Sequence, residues 1–521
     1  MHRETLIRAV YIFLLSAAGF SLPLSVWLLS ALTISLASFW LLTGGPARLL
    51  HDFRRKRSVI VFLLFYIVYL AGMITTSDFP AGLNELKNKL PLIAFPVVIG
   101  FSETLDKKEL KIIISSFVAG VVISSLAGIF LRMNVADGEI TSTRQLSVFI
   151  SHIRLAIMTV LAIFVSFYFF FISGRRTGTD FFYLLTGIWL TVFLFILLSL
   201  TGILIFLIIF TGTGIWLAIK DARLFVRYSV TGILLLVTFS VISIVVTSVR
   251  YFYSPGHAYP LPLEPFTAGG NPYRHDTISR DTENGNLVWI YINEDELGHS
   301  WNLKSPIPYD SLDKAGQELK YTLIRYLTSK GLRKDKEGVS ELTPWDIANI
   351  ENGIANCIYA GGNPIRAKAY EIIWQVDYYL RGGNPSGHSV TQRLEFMKTG
   401  LHIFKRNPLF GTGTGDLADE IRSQYELDRS RLDAGYRLEA HNQFVTFLVS
   451  FGLAGFSIIL FSLLYPFIRM LKCLDYPAII FFIIIVISML WEDTLETQTG
   501  ISFFAYFYSL FIFGRDEEKI Q

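Results

Sequence analysis

Apolar residues in this chain come in long uninterrupted runs joined by short polar stretches, except for one long polar region between 250 and 440. Crossing the hydrocarbon core of a bilayer takes about 20 residues of helix. Runs such as 58–76, 148–172, 228–249 and 477–490 approach or exceed that length without a polar face. Backbone polar groups in lipid must be satisfied within the segment, so these runs are predicted as helices. The pattern predicts about twelve spans, at 5–20, 24–43, 58–76, 89–102, 108–131, 148–172, 180–198, 200–219, 228–249, 452–471, 477–493 and 500–514. The first run, behind Arg3 and Arg8, resembles a signal peptide, but further spans follow at once and it is read as the first of them.

The region 250–440 has soluble character, with Pro, Gly, Asn and charged residues throughout. Within it, 287–293 alternates and is rich in β-branched and aromatic residues, which predicts a strand. Apolar periodicity predicts helices over 311–328, 344–358, 364–380 and 389–405, with a turn-rich break at 382–387. The fold class expected is an all-α polytopic membrane protein with one large, mainly helical extracytoplasmic loop domain. Its parts are 1–249 (nine spans), 250–440 (loop domain) and 441–521 (a short interfacial helix and three spans).

Charge sets the orientation, because cytoplasmic loops carry an excess of Lys and Arg. With the N-terminus inside, the inner loops hold Arg3, Arg8, Arg48, Arg54, Arg55, Lys56, Arg57, Lys107, Lys108, Lys111, Arg175, Arg176, Lys220, Arg223, Arg227, Arg469, Lys472, Arg515 and Lys519. The short outer loops hold only Lys87, Lys89, Arg132 and Arg144. Both termini are therefore expected in the cytoplasm and 250–440 outside. The net charge of +3 averages over two compartments and decides nothing. Cys357 and Cys473 fall on opposite sides in this topology and are not expected to pair. No zinc-type spacing or basic–aromatic pattern points to a metal or to nucleic acid.

Ionisable residues at the ends of spans mark candidate chemistry, because they are costly in lipid. On the expected outer face, His152 and Arg154 sit in the first turn of the sixth span. His441 and Asn442 open the short helix that leads into the tenth, and Glu492, Asp493, Glu496 and Gln498 close the eleventh. Plainer readings exist for each: a helix cap at 151–152, a snorkelling Arg154, a cap at 441–442, a polar helix end at 492–496. The turn 411–416 (GTGTGD) has the look of a phosphate cradle, but it follows a helix and lacks a Walker lysine, so it reads as a turn that ends one helix and starts the next.

The stretch 440–446 (AHNQFVT) followed by 452–455 (GLAG) resembles the signature of the O-antigen ligase and polymerase superfamily. Arg393 in 389–400 resembles that family's loop arginine, 408–416 its glycine-rich turn, and 491–501 (WEDTLETQTGI) the end of Bacteroidetes-type members. The resemblance implies a GT-C-like membrane glycosyltransferase in the bacterial inner membrane, with its large loop in the periplasm. It implies a glycan donor on undecaprenyl diphosphate and an acceptor hydroxyl on lipid A-core, on another glycan or on protein, with membrane lipids around it and no cofactor or metal. His441 would be the catalytic base, Arg154, Arg393 and Arg437 would hold the donor diphosphate, and His152, Asn442, Glu492 and Glu496 would support them. One departure concerns Leu200, which follows Ser199 where many relatives carry Ser-Arg. Arg154, at similar depth, is placed to substitute.

This assignment agrees with the chemistry of the residues. A glycosyl diphosphate is already activated, and arginine forks stabilise its departing anion without a metal. The attacking hydroxyl needs a positioned base, and histidine titrates near neutral pH. Direct attack inverts the anomeric centre. A repeat-unit polymerase and a protein O-oligosaccharyltransferase share this donor chemistry and differ in the acceptor. A transporter would place charges and broken helices at the bilayer midplane, often in repeat halves, and the sequence has neither.

Overall fold

The computed structural model describes residues 2–134, 143–173, 177–220, 224–253, 262–279, 281–361 and 363–515. Of the charges counted above, Arg175, Arg176, Arg223 and Lys519 lie outside the described residues. The chain is mostly helical and forms two compact units, Met1–Trp216 with Gln392–Gln521, and Leu217–Thr391. Neither cysteine is in a disulfide.

Among the described residues seven helices are long and apolar enough to cross a membrane; one of them, Arg227–Phe252, belongs to the second unit. An eighth crossing arises if Val26–Leu42 and Gly45–Asp52, bent by 74°, form one span. Arg57–Gly72, Tyr476–Trp491 and Gln498–Phe513 are shorter apolar helices. The structure therefore supports a polytopic helical membrane protein with seven or eight helices of spanning length among the described residues, fewer than the twelve expected. The expected span 89–102 is corrected outright. It is Pro91–Gly100, ten residues started by Pro91, or about 15 Å of helix, too short to cross. Lys89, counted above as an outer-loop charge, is fully buried.

The core of the first unit is aromatic. Phe62, Phe65, Phe481, Phe504, Phe507 and Tyr508 pack edge-to-face and tilted, with Phe62 and Tyr508 centroids 4.6 Å apart. The N-terminal helix His2–Ser21 is part of it: Tyr11, Leu15 and Ala18 are buried, and Tyr506 Oη donates to Leu15 O at 2.7 Å.

The helix Gln443–Met470 is broken at Gly452, which takes φ 60° and ψ −167°. A break in apolar surroundings exposes amides and carbonyls that must find partners. The glycine-rich turn supplies them on both sides. Before the break, Thr412 N and Gly413 N donate to Val449 O and Ser450 O at 2.9 Å; after it, Leu453 N and Ala454 N donate to Pro408 O and Leu409 O at 2.8 and 3.0 Å. The amides of the GTGTGD turn are thus used inside the fold: those of Thr414 and Gly415 go to Thr76 Oγ1, and Asp416 accepts from Ser77 and Asp78 N. Asp416 also stands at the N-cap of Leu417–Leu427.

The second unit packs helices Glu294–Asn302, Leu319–Ser329 and Pro344–Glu351 around Trp301, Leu323, Leu327 and Ile350. Pro364–Leu380 is found as expected; 311–328 and 344–358 shorten to Leu319–Ser329 and to Pro344–Glu351 with Cys357–Ala360. The predicted strand 287–293 is corrected. Only Asn286–Leu287 pairs, with Thr282–Glu283, and Asn293 caps the next helix. Burial alternates only over 286–290; Tyr291 takes φ 56° and Ile290, Tyr291, Ile292 and Asn293 are all buried. Ile292 instead makes isolated bridges to Arg274 and Lys334. The compact units part at 216–217 and 391–392, whereas the sequence boundaries were 249–250 and 440–441. Leu224–Phe252 packs on Pro364–Leu380, and the turn 408–416 packs into the first unit.

Replacing Gly452 by alanine tests the broken helix. A Cβ there would lie 2.3 Å from Leu409 C and 2.4 Å from Leu409 O, at a positive φ. Strain alone costs about 1–3 kcal/mol. Gly452→Ala is expected to lower the melting temperature of the detergent-purified protein clearly; an unchanged melt would contradict the described break.

Candidate active site

Three chain segments of the first unit meet where the helix Gln443–Met470 begins. Asn442 is its N-cap, with Oδ1 accepting from Phe444 N and Val445 N at 3.1 Å while Nδ2 donates to Leu490 O at 2.9 Å. This ties the start of that helix to the end of Tyr476–Trp491. The loop that follows, 492–497, is held on the same helix by further bonds. Asp493 accepts from His441 N at 2.7 Å and from Thr446 Oγ1 at 2.8 Å, and Gln443 bonds both Leu495 N and Glu496. His441 sits at φ 46°, a conformation uncommon for a residue with a Cβ, held by that amide bond to Asp493.

Glu492 is only 2% exposed. Arg393, from the helix Thr391–Arg406, donates to its Oε1, and Thr201 Oγ1 lies 3.5 Å from the same oxygen. His441 Nδ1 is 3.5 Å from Glu492 Oε2, within ion-pair range but not aligned as a hydrogen bond. Burial pushes the Glu492 carboxyl up, but the facing His441 imidazole and the Arg393 and Arg154 guanidiniums outweigh it and hold it below the ordinary range. Phe396, one turn along from Arg393, stacks on the His441 ring at 5.2 Å and 30° and sets its plane.

Arg154 is 7% exposed, in the first turn of His152–Ile172. It donates from Nη2 to Asp493 O at 2.8 Å and from Nε to Thr497 Oγ1 at 3.1 Å. Its Nη1 has no partner among the described residues. A cavity of about 600 Å³ is lined by Arg154, Arg422, Arg437, Glu439, His441, Asp493 and Glu496 among others. Arg437 donates from Nε to Leu432 O at 3.2 Å and is 3.9 Å from Glu426.

The expected site residues are thus brought together in part. His441, Arg154, Arg437 and Glu496 share this cavity; Asn442 and Glu492 stand directly behind it. Arg393 and His152 are not among its lining residues. Arg393 meets the Glu492 carboxylate instead, and Leu200 is partly exposed beside Ser199, which is buried. Sequence reasoning missed two participants. Lys89 donates to Leu495 O at 2.7 Å and to Glu496 at 2.5 Å, with Glu85 at 3.3 Å. Glu439 lines the cavity two residues before His441, and only its place beside the His-Asn pair could have flagged it. Among the described residues no group of three His, Cys, Asp or Glu side chains is arranged to hold a metal ion. The arrangement offers a histidine with one nitrogen against a carboxylate, and guanidinium donors on the same cavity wall, which suits proton removal beside a bound anion.

Glu439 provides a pH test of this geometry. Burial, and then the nearby Glu496, Asp493 and Glu85 carboxylates, push its carboxyl up to about 7 from an ordinary 4.5, with Lys89 opposing. The folded state therefore binds the proton more tightly, so stability falls as pH rises between about 4.5 and 7. Glu439→Gln should flatten this part of the melting-temperature profile; an unchanged slope would show that Glu439 does not sit among these carboxylates.

No curated protein sequence matches the chain. Residues 353–460, which include His441, Asn442 and the glycine-rich turn, match the family model described as O-Antigen ligase. Over this segment, about a fifth of its length, the chain is similar to the O-antigen ligase family.

Proposed function

We propose that the protein transfers a glycan from undecaprenyl diphosphate to an acceptor hydroxyl at the outer face of the bacterial inner membrane, as an O-antigen ligase acting on lipid A-core. One observation carries the reading: His441 and the buried Arg154, whose Nη1 has no acceptor among the described residues, line the same cavity. The acceptor oxygen attacks the anomeric carbon, and His441 Nε2 takes its proton. The bond from that carbon to the diphosphate oxygen breaks, its electron pair leaves with the undecaprenyl diphosphate, and the anomeric centre inverts.

Glu492, facing Nδ1, orients the imidazole and stabilises the cation that forms. Such a base contributes about 10²–10⁴-fold. Arg154 and Arg437 receive the diphosphate as its charge grows, and the reaction needs no metal because guanidiniums supply the positive charge. Arg393 keeps Glu492 ionised and in place, a role that its bond to that carboxylate supports better than contact with the donor. Asn442, Gln443 and Glu496 hold the loop 492–497 in register. In this reading both termini are cytoplasmic and the cavity opens to the periplasm.

Deleting the gene in its own host and analysing cell-surface lipopolysaccharide with lipid-linked intermediates tests the assignment. The expected result is bare core, with finished glycan stranded on undecaprenyl diphosphate. Core capped with a single repeat would indicate a polymerase instead, and unchanged lipopolysaccharide would overturn the ligase assignment.

A further inference from the structure

At the other end of the first unit a second, smaller cavity lies between the start of His2–Ser21 and the end of Val26–Leu42. Its volume is about 200 Å³, and its lining includes Glu4, Arg8, Tyr11, Trp40, Arg48 and Glu103. Tyr11 and Trp40 are each only 6% exposed. Tyr11 Oη, Trp40 Nε1 and Arg48 Nε are buried and have no hydrogen-bond partner among the described residues. Three donors thus border one cavity without an acceptor, each at the cost of desolvation. A single water accepts two hydrogen bonds, whereas the oxygens of a phosphate accept several and suit a guanidinium best.

Charge narrows the ligand. The Arg8 fork is taken by Glu109, with Nε to Oε1 at 2.7 Å, so Arg48 is the cation that faces the cavity with a donor to spare. One cation matches the single negative charge of a phosphodiester. Glu4 and Glu103 are exposed at the rim, Glu103 with Oε2 3.7 Å from Arg8 Nη1; their negative charge disfavours a second negative group and favours a headgroup that also carries an ammonium. The site is built for a membrane setting. Gly45 opens the helix Gly45–Asp52 at 74° to the one before it, and a Cβ on Gly45 would fall 2.2 Å from the Trp40 ring, so only glycine lets the bend close on that indole. Phe13, Leu41, Leu42 and Leu50 are exposed apolar side chains on the same three helices, a surface for acyl chains.

We infer that this cavity binds the phosphodiester headgroup of an aminophospholipid, at the end of the bundle that the charge bias assigns to the cytoplasm. The phosphate oxygens take the Tyr11, Trp40 and Arg48 donors, and the headgroup ammonium lies against the rim carboxylates. The site is separate from the His441 cavity and does not rest on the proposed transfer reaction.

The test titrates delipidated full-length protein in detergent with phosphatidylethanolamine, with phosphatidylglycerol of the same acyl chains, and with inorganic phosphate, reading the melting temperature. Phosphatidylethanolamine should raise the wild-type melt saturably. Tyr11→Phe and Arg48→Gln should each need about tenfold more of it, the loss of one hydrogen bond to a charged group. Without lipid, Tyr11→Phe should melt at or above wild type, because it deletes a buried hydroxyl that has no hydrogen-bond partner among the described residues. Unchanged titration midpoints in both variants would overturn the site. Equal protection by phosphatidylglycerol or by inorganic phosphate would overturn the aminophospholipid as its ligand.

Discussion

A carboxylate buried as deeply as Glu492 costs several kcal/mol unless opposite charge answers it. Arg393 supplies that answer, and His441 faces the second oxygen. The surroundings follow from this requirement. Arg393 must come in on a helix at the correct height, the loop 492–497 must be held still, and the start of Gln443–Met470 must present His441 at a positive φ. Lys89, buried and bonded to Glu496 and Leu495 O, fixes the far end of that loop. The same need for compensation places Arg154 over Asp493 O and Thr497, where its Nη1 has no acceptor among the described residues.

A second constraint is the backbone. The helix that follows His441 does not run straight, because Gly452 breaks it inside an apolar bundle. In water such a break would be cheap, but in lipid each freed amide and carbonyl needs a partner. The glycine-rich turn exists to supply them, and its glycines let it approach: a Cβ on Gly411 would lie 2.4 Å from Phe451 N. Its amides therefore serve the helix break, at Thr412 and Gly413, and Thr76 Oγ1, at Thr414 and Gly415, and are not offered to a phosphate.

Much of the site was legible because ionisable residues stand out at the ends of apolar runs. His441, Asn442, Arg154, Glu492 and Glu496 could be named on that ground alone. The partners of these residues could not. Lys89 pairs with a residue more than four hundred positions away, and in sequence it looked like any loop lysine at the edge of a run. Arg393 could be marked as a candidate, but not as a counter-ion of Glu492, since only the fold brings them together. The twelve expected spans are not all matched by helices of spanning length, for a related reason. Hydropathy measures burial without distinguishing lipid from protein, so the buried ten-residue helix Pro91–Gly100 reads like a crossing. In the second unit the alternation of 287–293 suggested a half-buried strand, but Tyr291 turns at a positive φ and 290–293 are buried on every side, which a two-residue period does not reveal.

The central claim is that His441, backed by Glu492, removes the acceptor proton. Its most direct test is transfer from a purified lipid-linked donor to acceptor by His441→Gln, measured beside donor binding. Glutamine keeps a hydrogen bond but cannot take the proton, so the account predicts transfer reduced by about 10²–10⁴-fold with donor affinity near wild type. Transfer at the wild-type rate by this variant would contradict it.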